Sequence, residues 1–362
     1  MTSTMKTEPA PPILELKGIQ KRFVHTPDLA ARIANLLGAR NRETVVHAVD
    51  GVDLTVRAGE VIGVVGESGC GKSTLGRVIA GINPPSAGTV AYQGKETGAM
   101  TGAERRAYEL GVQMIFQNPM ASLNPRMRVV DIIGEAPVVH GLVSRSEQGA
   151  YVADLMRQVG LDPDYAQRYP HQFSGGQRQR IGIARALALR PRVIVCDEAV
   201  AALDVSIQAQ VLNLFTQLRA QHDLTYLFIS HNLGVVGHIS DRVVIMYLGR
   251  IVEIAPTEAI FGAANHPYTR ALLAELPTLD TTRRAYQPIA GELPSLLAPP
   301  PGCTFHPRCP HAMARCKTQV PLLRELDGGH WSACHLNDEA GAPRFPIPVR
   351  THDAANQETV AA

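Results

Sequence analysis

A glycine-rich loop between a buried strand and a helix constrains this chain more than any other feature. The apolar run VIGVVG at 61–66 predicts a buried strand, and the periodic residues at 75–82 predict a helix. Between them, GESGCGKST at 66–74 matches the pattern G-x-x-x-x-G-K-[ST]. Such a loop turns successive backbone N–H groups inward, and the following helix adds the positive end of its dipole. The sequence therefore predicts a phosphate-binding loop.

Individual residues of this loop receive expected roles. Lys72 is expected to place its ammonium on the β- and γ-phosphates, and the Ser73 hydroxyl to coordinate Mg²⁺. Cys70 occupies a variable position, where it is expected to fill space rather than to react. The predicted nucleotide-binding residues of the loop are Gly66, Glu67, Ser68, Gly69, Cys70, Gly71, Lys72, Ser73 and Thr74.

A second apolar strand, at 193–196, ends in two carboxylates, Asp197 and Glu198. The first carboxylate of such a pair can hold Mg²⁺, and the second can polarise the attacking water as a general base. His231 follows a third buried strand, where we expect it near the γ-phosphate as a sensor or an orienting group. The alternatives are a carboxylate pair that only caps its strand and a structural histidine.

The distribution of these patterns predicts an α/β fold. Strands that alternate with helices favour a mostly parallel sheet. The alternating residues at 13–23 and 48–56 predict antiparallel strands ahead of that sheet. Residues of about 104–190 are mostly helical in pattern, which predicts a helical subdomain inserted between the sheet strands, and residues 30–37 suit a short helix or a loop insertion.

The two ends of the chain have a different character. The sequence becomes proline-rich after about residue 262, and this shift predicts a separate C-terminal unit. Residues 1–12 and 346–362 are predicted to be flexible.

Composition bears on the cellular setting. A formal net charge of +2 gives no expectation of binding to nucleic acid. No stretch approaches the roughly 20 consecutive apolar residues that span a bilayer, and the first residues lack the layout of a signal peptide. We therefore expect the chain in the cytoplasm, where a membrane role would require docking onto a partner that spans.

The segment FSGGQ at 173–177 makes a family recognisable. Together with the phosphate loop, Gln117, the segment 202–204 and His231, it resembles the ATPase domain of ABC transporters over residues 13–262. The resemblance implies the P-loop NTPase fold of an ABC ATPase: a mixed, mostly parallel sheet with antiparallel β and helical subdomains. Two departures are Phe173, where leucine is usual, and Ala199, where proline is common; neither removes a functional group.

The resemblance also implies roles for further residues. Ser174, Gly175, Gly176 and Gln177 would form a second anion site that closes on ATP held by the opposite subunit. Gln117 would read the γ-phosphate and Mg²⁺ and contact the membrane subunit. Asp204 would lie at the dimer seam, and Phe23 is the candidate for stacking on adenine. The implied catalytic residues are Glu198, His231 and Gln117, and the implied Mg²⁺ ligands are Ser73, Gln117 and Asp197.

The residues after this domain narrow the family. FGAANHPYTRALLAELP at 261–277 and PPPGCTFHPRCPHAMARC at 299–316 resemble the C-terminal extension of oligopeptide and dipeptide importer ATPases, expected here over 263–345. The resemblance implies ATP-driven import of peptides, although related systems carry nickel, glutathione or sugars. It implies two integral-membrane permease subunits, a second ABC ATPase subunit, an extracytoplasmic substrate-binding protein and a peripheral location on the cytoplasmic face of the membrane. The alternative is a non-transport ABC ATPase that acts on ribosomes or DNA.

Four of the six cysteines, Cys303, Cys309, Cys316 and Cys334, cluster near the C-terminus. In a reducing cytoplasm such a cluster indicates metal or cofactor ligation before disulfides. Four thiolates suit either Zn²⁺ or an iron-sulfur cluster, and unliganded thiols are the remaining alternative. The resemblance to peptide importers favours a four-iron four-sulfur cluster. Three nearby histidines, expected to stay outside the ligand set, are His306, His330 and His335.

Overall fold

Most of the chain is described by a computed structural model. The insertion predicted at 30–37 and the flexible tail predicted at 346–362 lie outside the described residues. So does the predicted flexible start, except for Pro12, which begins a strand. The described residues are 12–26, 43–276, 289 and 291–338.

Within these residues, the strands form two sheets. The strands are β1 (Pro12–His25), β2 (Thr44–Arg57), β3 (Val61–Val65), β4 (Ala87–Tyr92), β5 (Lys95–Glu96), β6 (Val112–Ile115), β7 (Val193–Asp197), β8 (Thr225–Ser230), β9 (Arg242–Tyr247), β10 (Arg250–Pro256), β11 (Arg324–Asp327) and β12 (His330–Ser332).

The helices lie between and after these strands. They are α1 (Lys72–Ile79), α2 (Gly102–Gly111), α3 (Pro119–Ser122), α4 (Val129–Val139), α5 (Gln148–Gln158), α6 (Gly175–Leu187), α7 (Val205–His222), α8 (Leu233–Ile239), α9 (Thr257–Ala263) and α10 (Pro267–Ala274).

The smaller sheet is antiparallel, with strand order β2-β1-β4-β5. Leu16 at its centre pairs with Leu54 on β2 and with Val90 on β4. All three side chains are buried, because alternate residues of a strand face the core. The antiparallel strands predicted at 13–23 and 48–56 are thereby confirmed.

The larger sheet has the order β11-β12-β10-β9-β3-β8-β7-β6. Its five strands from β9 to β6 are parallel, which confirms the prediction of a mostly parallel sheet. The five residues of β3 are all buried, as a central strand covered on both faces requires. The carboxyl ends of β3, β7 and β8 lead into the phosphate loop, the acidic pair and His231, so the sheet brings all three to one edge.

The predicted helical interval of about 104–190 needs a correction. It contains β6, in which Met114 pairs with Val195 of β7 in a parallel ladder at the edge of the main sheet. The helical part follows β6 and packs α4, α5 and α6 around a core that includes Ile133, Met156 and Ile181. A segment of four residues is too short for periodicity to distinguish a strand from a helix, which explains the error.

The C-terminal extension is not the separate unit that its composition predicted. Strand β12 adds to the main sheet by antiparallel pairing with β10, with Trp331 opposite Ile254. The ring of Phe305 packs against those of Tyr247 and Tyr268, at centroid distances of 5.2 and 5.4 Å. The extension therefore shares the sheet and the core of the preceding domain, while the boundary at 262 and 263 stays a prediction.

Candidate functional site

Two glycines of the phosphate loop, Gly66 and Gly71, are required by close backbone packing. At Gly71, which precedes α1 with φ at 105°, an added Cβ would lie 2.0 Å from the carbonyl oxygen of Ala48. At Gly66, an added Cβ would lie 2.2 Å from the carbonyl oxygen of Met246. Both distances are far inside van der Waals contact, so any side chain would displace the loop.

The ammonium of Lys72 lies inside the loop. It donates to the carbonyl oxygens of Gly66 at 2.7 Å and Glu67 at 2.9 Å, and the Lys72 side chain is buried. The thiol of Cys70 lies 3.8 Å from the ammonium. Burial raises the pKa of Cys70 against the opposing effect of Lys72, which leaves a neutral thiol and agrees with the expected space-filling role.

Ser73 and Asp197 meet at the start of α1. The Ser73 hydroxyl donates to Oδ1 of Asp197 at 2.6 Å. Burial raises the pKa of the Asp197 carboxyl, and the hydrogen bond from Ser73 opposes this shift. Hydroxyl and carboxylate oxygens are the donors that Mg²⁺ prefers, so the residues present fit the predicted magnesium site.

Glu198 joins the two other predicted catalytic residues. Its Oε2 accepts a hydrogen bond from Nε2 of Gln117 at 2.5 Å, and its Oε1 lies 3.3 Å from Nδ1 of His231. The backbone of Glu198 has φ at 48°, a left-handed conformation that costs a non-glycine residue on the order of 1 kcal/mol. Strained backbone of this kind concentrates at functional positions.

A cleft of about 430 Å³ runs along the phosphate loop. Lys72, Gln117 and Glu198 line it, and Phe23 lines it as well, with 36% of its surface exposed. The predicted stacking residue thus borders the same cleft as the predicted phosphate and catalytic residues. Leu296, from the proline-rich extension, also lines the cleft, and sequence patterns carried no signal for it.

Residues 174–177 and Asp204, which the family resemblance assigned to a second anion site and to the dimer seam, lie outside this cleft. Ser174 caps α6 in a capping box, because its hydroxyl accepts from the backbone N–H of Gln177 and the Gln177 side chain accepts from the N–H of Ser174. Ser174 and Gly175 are exposed, and Asp204 is exposed where it precedes α7. Among the described residues, 174–177 and Asp204 are not part of the lining of the cleft.

The four C-terminal cysteines are free thiols. Backbone N–H groups of Phe305 and His306 donate to the thiol of Cys303, and burial raises its pKa to about 11. Similar N–H bonds reach Cys309 from His311 and Cys334 from Leu336. In the part of the chain that the structure describes, no group of three or more His, Cys, Asp or Glu side chains has the arrangement that holds a metal ion.

Two contacts of the extension escaped sequence reasoning. Tyr268 and Arg308 both reach Glu67 of the phosphate loop, more than 200 positions away in the sequence. No local sequence pattern predicts such a contact, because it depends on how distant parts of the chain pack. Separately, no helix of the described residues is both long enough and apolar enough to cross a membrane.

Family models match most of the folded region. The model described as ABC transporter matches residues 49–201, and the model described as oligopeptide/dipeptide transporter, C-terminal region, matches residues 252–316. The two matches fall in the order that the resemblance predicted, the ABC transporter model before the C-terminal region model, although their bounds differ from the predicted 13–262 and 263–345.

Solved ABC cassettes share the fold. A dimeric ATP-binding cassette in a post-hydrolysis state with ADP and phosphate has a TM-score of 0.57 and 24% identity, over 67% of this chain and 98% of that one. The protein cbiO1 from Clostridium perfringens, part of the ABC transporter complex cbiONQ, has a TM-score of 0.56 and 22% identity, over 69% of this chain and 90% of that one.

Curated relatives are closer in sequence. The chain is 51% identical over 292 residues to a di/tripeptide transport ATP-binding protein of Pseudomonas aeruginosa, which covers 80% of this chain and 90% of that protein. It is 46% identical over 328 residues to an oligopeptide transport ATP-binding protein of Bacillus subtilis, which covers 90% of this chain and 97% of that protein. With this identity, this coverage and the site described above, the chain belongs to the ABC-type ATPase family of oligopeptide and dipeptide transport ATP-binding proteins.

Proposed function

We propose that this chain hydrolyses ATP to power the import of di- and oligopeptides. The observation that carries the proposal is the match of residues 252–316 to the C-terminal region of oligopeptide/dipeptide transporters, in the same chain as a complete set of ATP motifs. The relatives named above are a di/tripeptide and an oligopeptide transport protein, which supports peptides over nickel, glutathione or sugars.

The proposed chemistry assigns one task to each residue of the cleft. The loop N–H groups and Lys72 bind the phosphates, and Ser73 and Asp197 hold Mg²⁺ beside them. Glu198 accepts a proton from the attacking water as general base. Gln117 lies 2.5 Å from one carboxylate oxygen of Glu198, and His231 lies 3.3 Å from the other. From these positions they would orient the carboxylate and the attacking water.

A second copy or a homologous ATPase would complete each site. The capped, exposed start of α6 at Ser174 offers backbone N–H groups and a helix dipole to an anion, but it does not line the cleft of its own chain. Asp204 and Val205, which is 82% exposed, begin α7 on the surface. We infer that Ser174 closes on ATP held by the partner, with Asp204 at the seam.

One groove on this chain is a candidate docking site for the membrane subunits. A groove of about 380 Å³ lies between α2, β6 and the helical part, next to Gln117 in the chain. Apolar side chains line it, including Met114, Phe116 and Ile82, which is 49% exposed. We propose that a cytoplasmic segment of each permease subunit docks there, on the cytoplasmic face of the membrane. An extracytoplasmic binding protein would deliver the peptide.

We further propose that Cys303, Cys309, Cys316 and Cys334 hold a four-iron four-sulfur cluster. The thiols of Cys303, Cys309 and Cys334 each interact electrostatically with other cysteines of the set, and backbone N–H groups already point at these sulfurs. Such N–H bonds favour the thiolate and oppose burial and the neighbouring cysteines, which raise the pKa of these thiols; a bound metal would supply the positive charge that thiolates need. A cluster bound here would supply structural or redox-sensing chemistry and no step of ATP hydrolysis.

The cluster can be tested directly. Protein purified without oxygen should contain iron and absorb visible light, and Cys316→Ser should lose both. Stoichiometric zinc with no iron would instead assign the site to Zn²⁺. The absence of both metals would leave four unliganded thiols.

The transport proposal is tested by reconstitution. Vesicles are reconstituted with the chain, its co-purifying membrane subunits and their binding protein. Uptake of a labelled tripeptide is then measured with ATP supplied inside or outside the vesicles. We expect ATP-dependent uptake that Glu198→Gln abolishes. Uptake of nickel or glutathione but not of peptide would refute the substrate assignment, and co-purification with ribosomes instead of membrane subunits would refute transport itself.

A further inference from the structure

We propose that Arg308 and Tyr268 are positioning residues for ATP binding, which hold the phosphate loop through Glu67. Both belong to the C-terminal extension, whereas Glu67 is the second residue of the loop motif, at a position where the motif permits any side chain. The extension would then be a working part of the nucleotide site and not only an appendage to it.

The first contact is an ion pair. Nη1 of Arg308 donates to both carboxylate oxygens of Glu67, at 2.9 and 3.0 Å. The side chain of Arg308 is 6% exposed and that of Glu67 is 24% exposed. The arginine side of the pair is shielded from water and the carboxylate is partly shielded, which strengthens these charge-assisted hydrogen bonds relative to an exposed pair.

The guanidinium of Arg308 also contacts Tyr247. Arg308 lies within hydrogen-bonding reach of the hydroxyl of Tyr247, at 3.4 Å, and its pKa is raised by hydrogen bonds to Tyr247 and Glu67 despite burial. Arg308 also ends a short turn directly before Cys309. Its position is thus fixed by β9 on one side and by the cysteine-rich segment on the other.

The second contact uses the backbone of Glu67. The hydroxyl of Tyr268 accepts the N–H of Glu67 at 2.9 Å. Tyr268 is fully buried, and its ring packs against Tyr247 at a centroid distance of 4.7 Å and against Phe305 at 5.4 Å. Rings packed on two sides cannot follow a shifting loop, so the hydroxyl is a fixed acceptor.

These contacts leave Glu67 fully engaged. Its carboxylate is held by Arg308, its N–H by Tyr268, and its carbonyl oxygen accepts from Lys72 at 2.9 Å. The loop carries glycines at 66, 69 and 71, which have more conformational freedom than other residues and gain most from an external anchor. The extension therefore orders the loop and places the ammonium of Lys72 through one residue.

The proposed contacts act on the phosphate loop, so their loss should change ATP affinity more than the turnover rate. Disturbing Glu67 should weaken nucleotide binding, because the loop N–H groups and Lys72 would no longer be held in one arrangement. Glu198 directly follows β7, and its hydrogen bonds among the described residues go to Gln117, His231 and the backbone of neighbouring strands and turns, not to the extension. The rate at saturating ATP should therefore change much less than the affinity.

The primary test compares two arginines of the extension in the full chain. Arg308→Met should weaken binding of the fluorescent nucleotide mant-ATP and raise the KM for ATP about five- to tenfold, with kcat within about twofold. Arg315→Met is the matched control, since Arg315 also precedes a cysteine and loses an ion pair to Asp338 at 2.7 Å that lies away from the loop. The control should bind mant-ATP as the unaltered chain does.

Two further variants distinguish a loss of the proposed contacts from misfolding of Arg308→Met. Tyr268→Phe removes only the hydroxyl and should weaken mant-ATP binding about two- to threefold. Glu67→Gln should weaken it about as much as Arg308→Met, and adding Arg308→Met to Glu67→Gln should then change little. The proposal is overturned if Tyr268→Phe and Arg308→Met bind mant-ATP like the control, or if Arg308→Met keeps its full effect in the Glu67→Gln background.

Discussion

The sharpest prediction for the reaction is the separation of ATP binding from hydrolysis by Glu198→Gln. The amide has the length of the carboxylate and retains one acceptor oxygen. Because Gln117 and the new side chain can each present either end of an amide, the 2.5 Å hydrogen bond between these positions can be kept. The substitution therefore removes the base and leaves the local packing.

The expected magnitudes differ between the two steps. A positioned general base contributes about 10²- to 10⁴-fold to a rate, so hydrolysis should fall at least about 100-fold, which is roughly 2.7 kcal/mol. Replacing the charge-assisted hydrogen bond from Gln117 by a neutral one costs about 1 kcal/mol, so affinity for ATP should change less than about tenfold. Lys72 and its loop contacts are not touched.

The assay measures phosphate release at saturating ATP and mant-ATP binding on the same preparations. Glu258→Gln is the matched control, since the same chemical change is made at an exposed residue in the first turn of α9. Glu198→Asp keeps the charge but withdraws the carboxylate from Gln117, and its rate should fall between the two. Turnover of Glu198→Gln within about threefold of the control would refute the role of Glu198 as base.

Three other predictions concern binding, capping and pH. Lys72→Ala should weaken mant-ATP binding by at least about tenfold, because the buried ammonium at the centre of the loop is lost; unchanged affinity, with exposed Lys95→Ala as control, would contradict the loop assignment. Ser174→Ala should lower thermal stability by about 1 kcal/mol and reduce hydrolysis, whereas Ser174→Thr keeps the capping hydroxyl and should retain both. Burial lowers the pKa of His266 to about 4 from its ordinary 6.5, so the unfolded chain takes up this proton first as pH falls. This contribution is complete above pH 6.5 and is lost between pH 6.5 and 4, by roughly 2 kcal/mol at pH 5; chemical denaturation at pH 7 and 5 should show this loss in the unaltered chain and a smaller one in His266→Asn, and equal losses would contradict it.

Sequence patterns predicted the features that depend on neighbouring residues. Three features can be recognised from about ten consecutive residues each, because their patterns are local. They are the phosphate loop, the strand that ends at Asp197 and the helix that begins after Ser174. The phosphate loop, the acidic pair and His231 meet at one edge of the sheet because the strands before them are parallel neighbours, whereas the helix that begins after Ser174 does not line the cleft. The prediction that Phe23 borders the nucleotide came from family resemblance alone, and its position on the cleft agrees with it without testing it.

The features that sequence patterns missed depend on pairing between distant segments. Strand β6 is too short to show a period, and β12 follows a proline-rich stretch that gives no sign of joining the main sheet. Leu296, from the same proline-rich stretch, lines the cleft and accepts a backbone hydrogen bond from His47 of β2. A sheet edge accepts any strand whose backbone can present hydrogen-bonding groups, so composition alone does not reveal which segment occupies it.

The ion pair between Glu67 and Arg308 also bears on how the chain is made. The two residues are 241 positions apart, and synthesis delivers the amino-terminal residue first. A nascent or prematurely terminated chain that stops before Arg308 would carry every ATP motif and yet lack one anchor of its phosphate loop. Full nucleotide affinity would then be reached only after translation has passed the cysteine-rich segment, so that unfinished chains compete poorly for ATP and for partners that require the ATP-bound state.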